Sequence, residues 1–129
     1  VYEGVAFASR QALETLKISA DVDSDIISCG GGGFRSQAWT QIRADVLNKP
    51  LQRLTSGEPG ISGAVTLAAI GTGIYSNFEE ASTALSQYSA PNIPDPKQVE
   101  IYASVFEIYK DAIKANANIG KRLTHLGEG

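Results

Sequence analysis

A short β-type run, Ile26-Ile27-Ser28-Cys29, stops in four consecutive glycines, Gly30 to Gly33, and a helical pattern opens shortly after them at Ser36. Few sequence features constrain a fold as tightly. Glycine has no side chain, so such a loop can bring bare backbone N–H groups and a helix N-terminus against a ligand, often a phosphate or a nucleotide. A tight chain reversal with no ligand is the alternative. It is the weaker one, because four flexible residues in a row lose much chain entropy on folding unless something needs the space.

The flanking residues narrow the choice. A Walker A loop needs G-x-x-x-x-G-K-[ST], with the lysine reaching the terminal phosphates. Here Arg35 follows the glycines and no Gly-Lys pair is present, so that loop is excluded. The dinucleotide fingerprint G-x-G-x-x-G/A is met at Gly31 and Gly33 but not at Ser36, and no acidic residue on a second strand follows at the required distance.

The rest of the chain alternates helical and short extended segments. Val5, Ala8, Ala12, Leu13 and Leu16 recur at spacings of three and four, which predicts an amphipathic helix over 2–17 with that stripe as its apolar face. The β-branched run at 25–29 predicts a short buried strand. Ser36 is placed to cap a helix whose apolar face is Trp39, Ile42 and Val46 and which ends near Asn48-Lys49-Pro50. Residues 51–54 read as a second short strand. Pro59 suits the first position of a helix over 60–70, with Ile61, Ala64, Val65 and Ala68 on one side. A short helix follows from Asn77 or Phe78 to Leu85. Pro91, Pro94 and Pro96 stiffen a connector. A last helix is expected from about Asp95 to Ala115, with Val99, Tyr102, Ala103, Phe106 and Ile113 on one face and a frayed tail beyond Asn116.

Composition sets the outer limits. At 129 residues the chain is long enough for one compact domain and too short for two. Hydrophobic residues make up 43% and charged residues 19%, the balance of a folded piece and not a disordered one. A net charge of −3 with no basic stripe argues against nucleic acid as a partner. The longest apolar run, Ala64 to Ile74, is broken by Thr and Gly and is too short to span a bilayer. The single cysteine, Cys29, has no internal disulfide partner, which fits a cytoplasmic location, and reads as a small unreactive side chain at a strand end. His125 has no partner ligands nearby in sequence, and no metal site is expected. Asp45 sits near a helix C-terminus, where the dipole disfavours it, so a specific hydrogen-bond partner is expected. Neither Asp45 nor Glu58 is given a chemical role. The chain opens on Val1-Tyr2-Glu3-Gly4 without Met and runs straight into a helical pattern, which reads as a piece excised from a larger protein.

Residues 31 to 51, Gly-Gly-Gly-Phe-Arg-Ser-Gln-Ala-Trp-Thr-Gln-Ile-Arg-Ala-Asp-Val-Leu-Asn-Lys-Pro-Leu, closely resemble the second signature of the FGGY carbohydrate kinases. That pattern is Gly-Gly-Gly, a small residue, Arg or Lys, Ser, two residues, Trp, one residue, Gln-Ile, one residue, Ala-Asp-Val-Leu, then Pro. Glu3-Gly4-Val5-Ala6-Phe7 with Arg10 resembles the helix before the signature. Glu58-Pro59-Gly60-Ile61-Ser62-Gly63-Ala64 with Ala68-Ala69 resembles the helix after it. The likeness covers nearly the whole chain and loosens beyond Asn77.

The resemblance implies an α/β fold, part of an actin-like (ribonuclease-H-like) ATPase domain with helices packed on an incomplete mixed sheet. Residues 1–129 would be a partial C-terminal nucleotide-binding domain of a two-domain sugar kinase that uses ATP and Mg²⁺ to phosphorylate a pentulose or polyol hydroxyl. The sugar would be bound mainly by the other domain, the catalytic Asp would lie upstream, and this chain would contain no catalytic residue. A homo-oligomer is compatible with this reading. Position by position, Gly32 and Gly33 fall on the glycine pair that lies against the nucleotide's phosphate and ribose. Ser36 falls on a polar position near the adenine, and Gly31 shapes the turn. Phe34 departs from the small residue of the pattern. Arg35 either approaches a phosphate or stays solvated. The alternative function is a non-catalytic nucleotide-binding or interaction module on the same fold.

Overall fold

The computed structural model describes residues 1–21 and 23–126, and for 118 and 120–126 the backbone alone. Helix α1 (Tyr2–Ala20) leads to strand β1 (Ile27–Cys29), a 3-10 turn (Gly32–Phe34), helix α2 (Gln37–Leu47), strand β2 (Leu51–Arg53), helix α3 (Pro59–Gly71), helix α4 (Phe78–Leu85) and the long helix α5 (Pro96–Leu126).

β1, α2 and β2 form a βαβ unit. The strands pair in parallel with Ile27 opposite Leu51 and Cys29 opposite Arg53, so both carboxyl ends point the same way. A parallel pair needs a crossover, and α2 supplies it. The chain at 87–92 then returns along the free edge of β2. Antiparallel bridges join Leu51 to Asn92 and Leu54 to Tyr88, with Asn92 N donating to Leu51 O at 2.7 Å. This is the expected incomplete mixed sheet. Among the described residues, the other edge of β1 takes no strand.

Local chemistry explains the boundaries of α2. Ser36 is its N-cap, and the Oγ accepts from Trp39 N at 3.3 Å. Asn48 closes it in the left-handed region at φ 49°, a conformation that asparagine tolerates better than most residues. Pro59 stands in the first turn of α3, and Asn77 caps α4 by accepting from Glu80 N at 2.9 Å.

The core lies where α1, α2 and α5 meet. Phe106 and Val46 are fully buried, and Phe7 and Trp39 nearly so. Asp45 on α2 is also buried, and its partners account for its place near a helix C-terminus. Its Oδ1 accepts from Gln41 Nε2 and from Asp95 N, each at 2.8 Å, which ties α2 to the residue just before α5. Asp45→Ala would leave that amide without its acceptor. It is expected to lower stability by about 2 kcal/mol, and Asp45→Asn by less, since an amide oxygen still accepts. Urea midpoints of the two variants check this.

Three expectations about the helices are corrected. On α1 the buried residues are Ala6 and Phe7, with Leu13 half-buried, while Val5, Ala8, Ala12 and Leu16 are exposed. α1 carries two overlapping apolar stripes, and the aromatic partners on α5 meet the one containing Phe7. On α3, Ile61, Ala64, Val65 and Ala68 are exposed, and the buried residues are Thr66 and Ala69. That helix is apolar nearly all round, so its sequence does not single out a face. Thr66 tolerates burial because its Oγ1 donates to Ser62 O at 2.8 Å. Finally, α5 does not end near Ala115 but continues to Leu126, and Ile113 is exposed. His125 lies in this extension, where side chains are outside the described ones.

Candidate functional site

The parallel pair ends in a crevice of about 360 Å³ at the carboxyl ends of β1 and β2. In open α/β sheets this is where ligands bind. Gly31 and Arg35 line one side, Arg53 to Thr55 the floor, and Gly57 and Glu58 the rim before α3.

The four glycines divide into two pairs. A Cβ on Gly30 would run into the ring of Pro59 at the start of α3, so the close approach of β1 and α3 requires glycine there. Gly31 has φ 91°, which an L side chain rarely adopts. Gly32 and Gly33 have neither reason. Both avoid the positive-φ region. A Cβ on Gly32 would meet nothing within 4 Å among the described residues, and one on Gly33 would meet Trp39 Nε1 at 3.9 Å, an ordinary contact. The turn is closed by Phe34 N donating to Gly31 O and Arg35 N donating to Gly32 O. The leading N–H groups of such a turn have no partner within it.

The sequence-predicted residues Gly31, Gly32, Gly33 and Ser36 thus fall on one short arc between β1 and α2. Gly31 lines the crevice, Gly32 and Gly33 are exposed beside it, and the Ser36 hydroxyl serves as the cap of α2. Arg35 is exposed at the crevice wall. Arg53 was not anticipated. Its Nη1 donates to Phe34 O at 3.3 Å, which puts a second cation at the crevice. Nothing in the local sequence marks it; only the strand register brings it beside the glycine turn. Arg43 was also missed. Its guanidinium lies over the Phe34 and Trp39 rings, and burial pushes its pKa below the ordinary arginine range. Burial likewise pushes the Cys29 thiol up, against the opposing charges of Arg43 and Arg53, and its Sγ donates to Gln52 O, in keeping with an unreactive side chain. Among the described residues no three His, Cys, Asp or Glu side chains converge on a metal position, and no helix is long and apolar enough to cross a membrane.

The sequence profile of the FGGY family of carbohydrate kinases, C-terminal domain, matches residues 1–72, which include the glycine turn and both strands. The chain belongs to that family. Among curated relatives of this FGGY chain, the xylulose kinase of Lactococcus lactis is 29% identical over 130 residues, covering 99% of the chain and 26% of the relative. Among solved structures, xylulose kinase from Rhodospirillum rubrum is 30% identical with a TM-score of 0.73, over 92% of this chain and 24% of that one. The ligand-bound xylulose kinase from Lactobacillus acidophilus superposes at a TM-score of 0.79 with 24% identity, over 91% of this chain and 24% of that one, a likeness of fold. The expected actin-like α/β architecture is therefore the observed one. The chain spans about a quarter of the length of the curated relatives it matches.

Proposed function

We propose that this chain forms part of the ATP site of a two-domain carbohydrate kinase, which moves the γ-phosphoryl group of ATP onto a hydroxyl of a pentulose or polyol. The observation that carries this reading is the pair Gly32 and Gly33. Neither backbone strain nor internal packing demands glycine there, yet both stand exposed in the turn between Gly31 and Arg35, which line the crevice at the strand ends. A ligand that approaches the backbone closely supplies the missing reason. The names of the relatives, xylulose kinases among them, support the reaction class.

In this reading Gly32 and Gly33 lie against the phosphate and ribose of the nucleotide, Gly31 turns the chain, and the residue at Ser36 borders the adenine. Arg35 and Arg53 give the crevice positive charge for the phosphates. Phosphoryl transfer spreads negative charge over phosphate oxygens, so fixed N–H donors and cations stabilise it without themselves reacting. Mg²⁺ would arrive with the ATP phosphates. The described residues gather no acidic cluster to hold it, so no step is assigned to it. The sugar and the base that takes its proton belong to the remainder of the kinase, as does the closure that excludes water. A cytoplasmic location, where ATP is plentiful, fits this role.

The test is a coupled assay for ADP. The intact kinase is expected to release ADP from ATP and Mg²⁺ with at least one member of a pentulose and polyol panel. The 129-residue chain alone is expected to show no acceptor-dependent turnover. Turnover by the chain alone would show the active site to be misplaced. ADP binding by the intact protein, with no turnover on any acceptor, would favour the non-catalytic nucleotide-binding module.

A further inference from the structure

Among the described residues, Arg43 has no carboxylate or carbonyl partner and packs against rings instead. Its guanidinium carbon lies 4.3 Å from the centroid of the Phe34 ring and 4.2 Å from that of Trp39. The Tyr2 ring lies 5.0 Å from Trp39, tilted 49° to it. Arg43 Nε is buried with no hydrogen-bond partner among the described residues. A planar, weakly hydrated guanidinium suits a slot between rings, whereas a compact ammonium does not.

Phe34 is the last residue of the 3-10 turn that follows the glycines. Its ring is held by Arg43, and its carbonyl accepts from Arg53 Nη1 at 3.3 Å. The residue that closes the flexible run is therefore fixed at both its side chain and its main chain. The family pattern has a small residue at the position of Phe34 and specifies none at that of Arg43. The bulky departure and the arginine at the free position touch each other. A glycine run has many conformations to lose, so an anchor at its exit decides how much of the time it holds one shape.

We propose that Arg43 is a positioning residue: by clamping Phe34 against α2 beside Trp39, it holds the Gly31–Phe34 turn in the shape its bare backbone presents to the nucleotide. This role rests on reading that turn as the nucleotide site, but its first test does not. Amide hydrogen exchange at residues 31–35 of the intact protein and, with any tryptophan outside these 129 residues replaced by phenylalanine, the emission of Trp39 are to be compared without nucleotide. The comparison covers the parent protein, Arg43→Met, Arg43→Lys, Phe34→Ala and the Arg43→Met/Phe34→Ala double variant. Met keeps an unbranched, apolar filler in the slot, and Phe34→Ala restores the small residue of the family pattern, so both variants are expected to fold. Each single variant is expected to speed exchange at 31–35 by about tenfold and to shift Trp39 emission, with exchange in α3 and α5 unchanged. The double variant is expected to be no faster than either single one, because both remove the same clamp. Arg43→Lys is expected not to rescue. ADP affinity should weaken about fivefold in the single variants.

Unchanged exchange at 31–35, rescue by lysine, or effects that simply add would overturn the clamp. If exchange responds as expected while the parent protein binds no ADP, the clamp stands and the nucleotide reading falls. If Gly33→Val abolishes ADP binding while the Arg43 and Phe34 variants leave exchange alone, the reading stands and the clamp falls.

Discussion

Gly33→Val is expected to leave the fold standing and to weaken ADP binding by the intact protein about 100-fold or more, the size of effect that follows when side-chain atoms occupy the place of a ligand. In the folded chain a Cβ at Gly33 faces Trp39 Nε1 at 3.9 Å and is otherwise free among the described residues. The backbone there avoids the positive-φ region, so a side chain adds no strain. Thermal midpoint and far-UV dichroism should therefore match the parent protein. Isothermal titration with ADP should not. Gly30→Val is the mirror image. Its side chain would collide with the ring of Pro59, and overpacking of this kind costs about 1–3 kcal/mol. Gly30→Val should lower the midpoint, and at temperatures where it remains folded its affinity should fall far less than that of Gly33→Val. If Gly33→Val binds ADP as the parent does, the turn is a structural reversal and the crevice is not the nucleotide site.

That contrast also marks where the sequence stops being readable. Four adjacent glycines look alike on paper. What separates Gly30 from Gly33 is the ring of Pro59 at the start of α3, a tertiary contact that no local pattern announces. Features decided within a turn or two of chain were legible: the Ser36 cap, the end of α2 near Asn48, Pro59 in the first turn of α3, the start of α4 at Asn77 or Phe78 and the place of both short strands, though β1 is half-buried with Ser28 exposed where a buried strand was expected. The need of Asp45 for a partner was legible too, though its identity, the amide of Asp95, was not. The faces of α1 and α3 were misjudged because each helix is apolar on more than one side, and only the position of the neighbour chooses between sides. Arg53 and Arg43 went unseen because strand register and ring stacking bring them to the turn.

Phe106→Ala is expected to be the most destabilising single change in the described core, with a loss of about 3–5 kcal/mol. The ring is fully buried. It lies 5.9 Å from the Phe7 ring and stacks on Tyr109 at 6.0 Å, while the Arg10 guanidinium covers it at 4.4 Å. Truncation to alanine would leave a cavity among stiff aromatic neighbours that cannot collapse into it, so the cost should sit above that of an aliphatic deletion of equal size. A small domain has about 5–15 kcal/mol in total, so a loss of this size removes a large share of it. Urea denaturation followed by dichroism measures it, and a change below about 1 kcal/mol would mean that α5 is not held by this cluster. The same variant makes a second demand. Phe106 lies in the cluster that joins α5 to α1 and α2, whereas the glycine turn stands at the strand ends before α2. Well below its melting point, Phe106→Ala should lose far less ADP affinity than Gly33→Val, because it acts on the turn at second hand, through the shared cluster member Trp39. Gly33→Val and Phe106→Ala should thus separate: one loses the ligand and keeps the fold, and the other loses stability and keeps far more of its affinity for the ligand. Parallel losses of both properties in both variants would mean that turn and core unfold as one unit, and the crevice could then no longer be treated as a site carried on a stable frame.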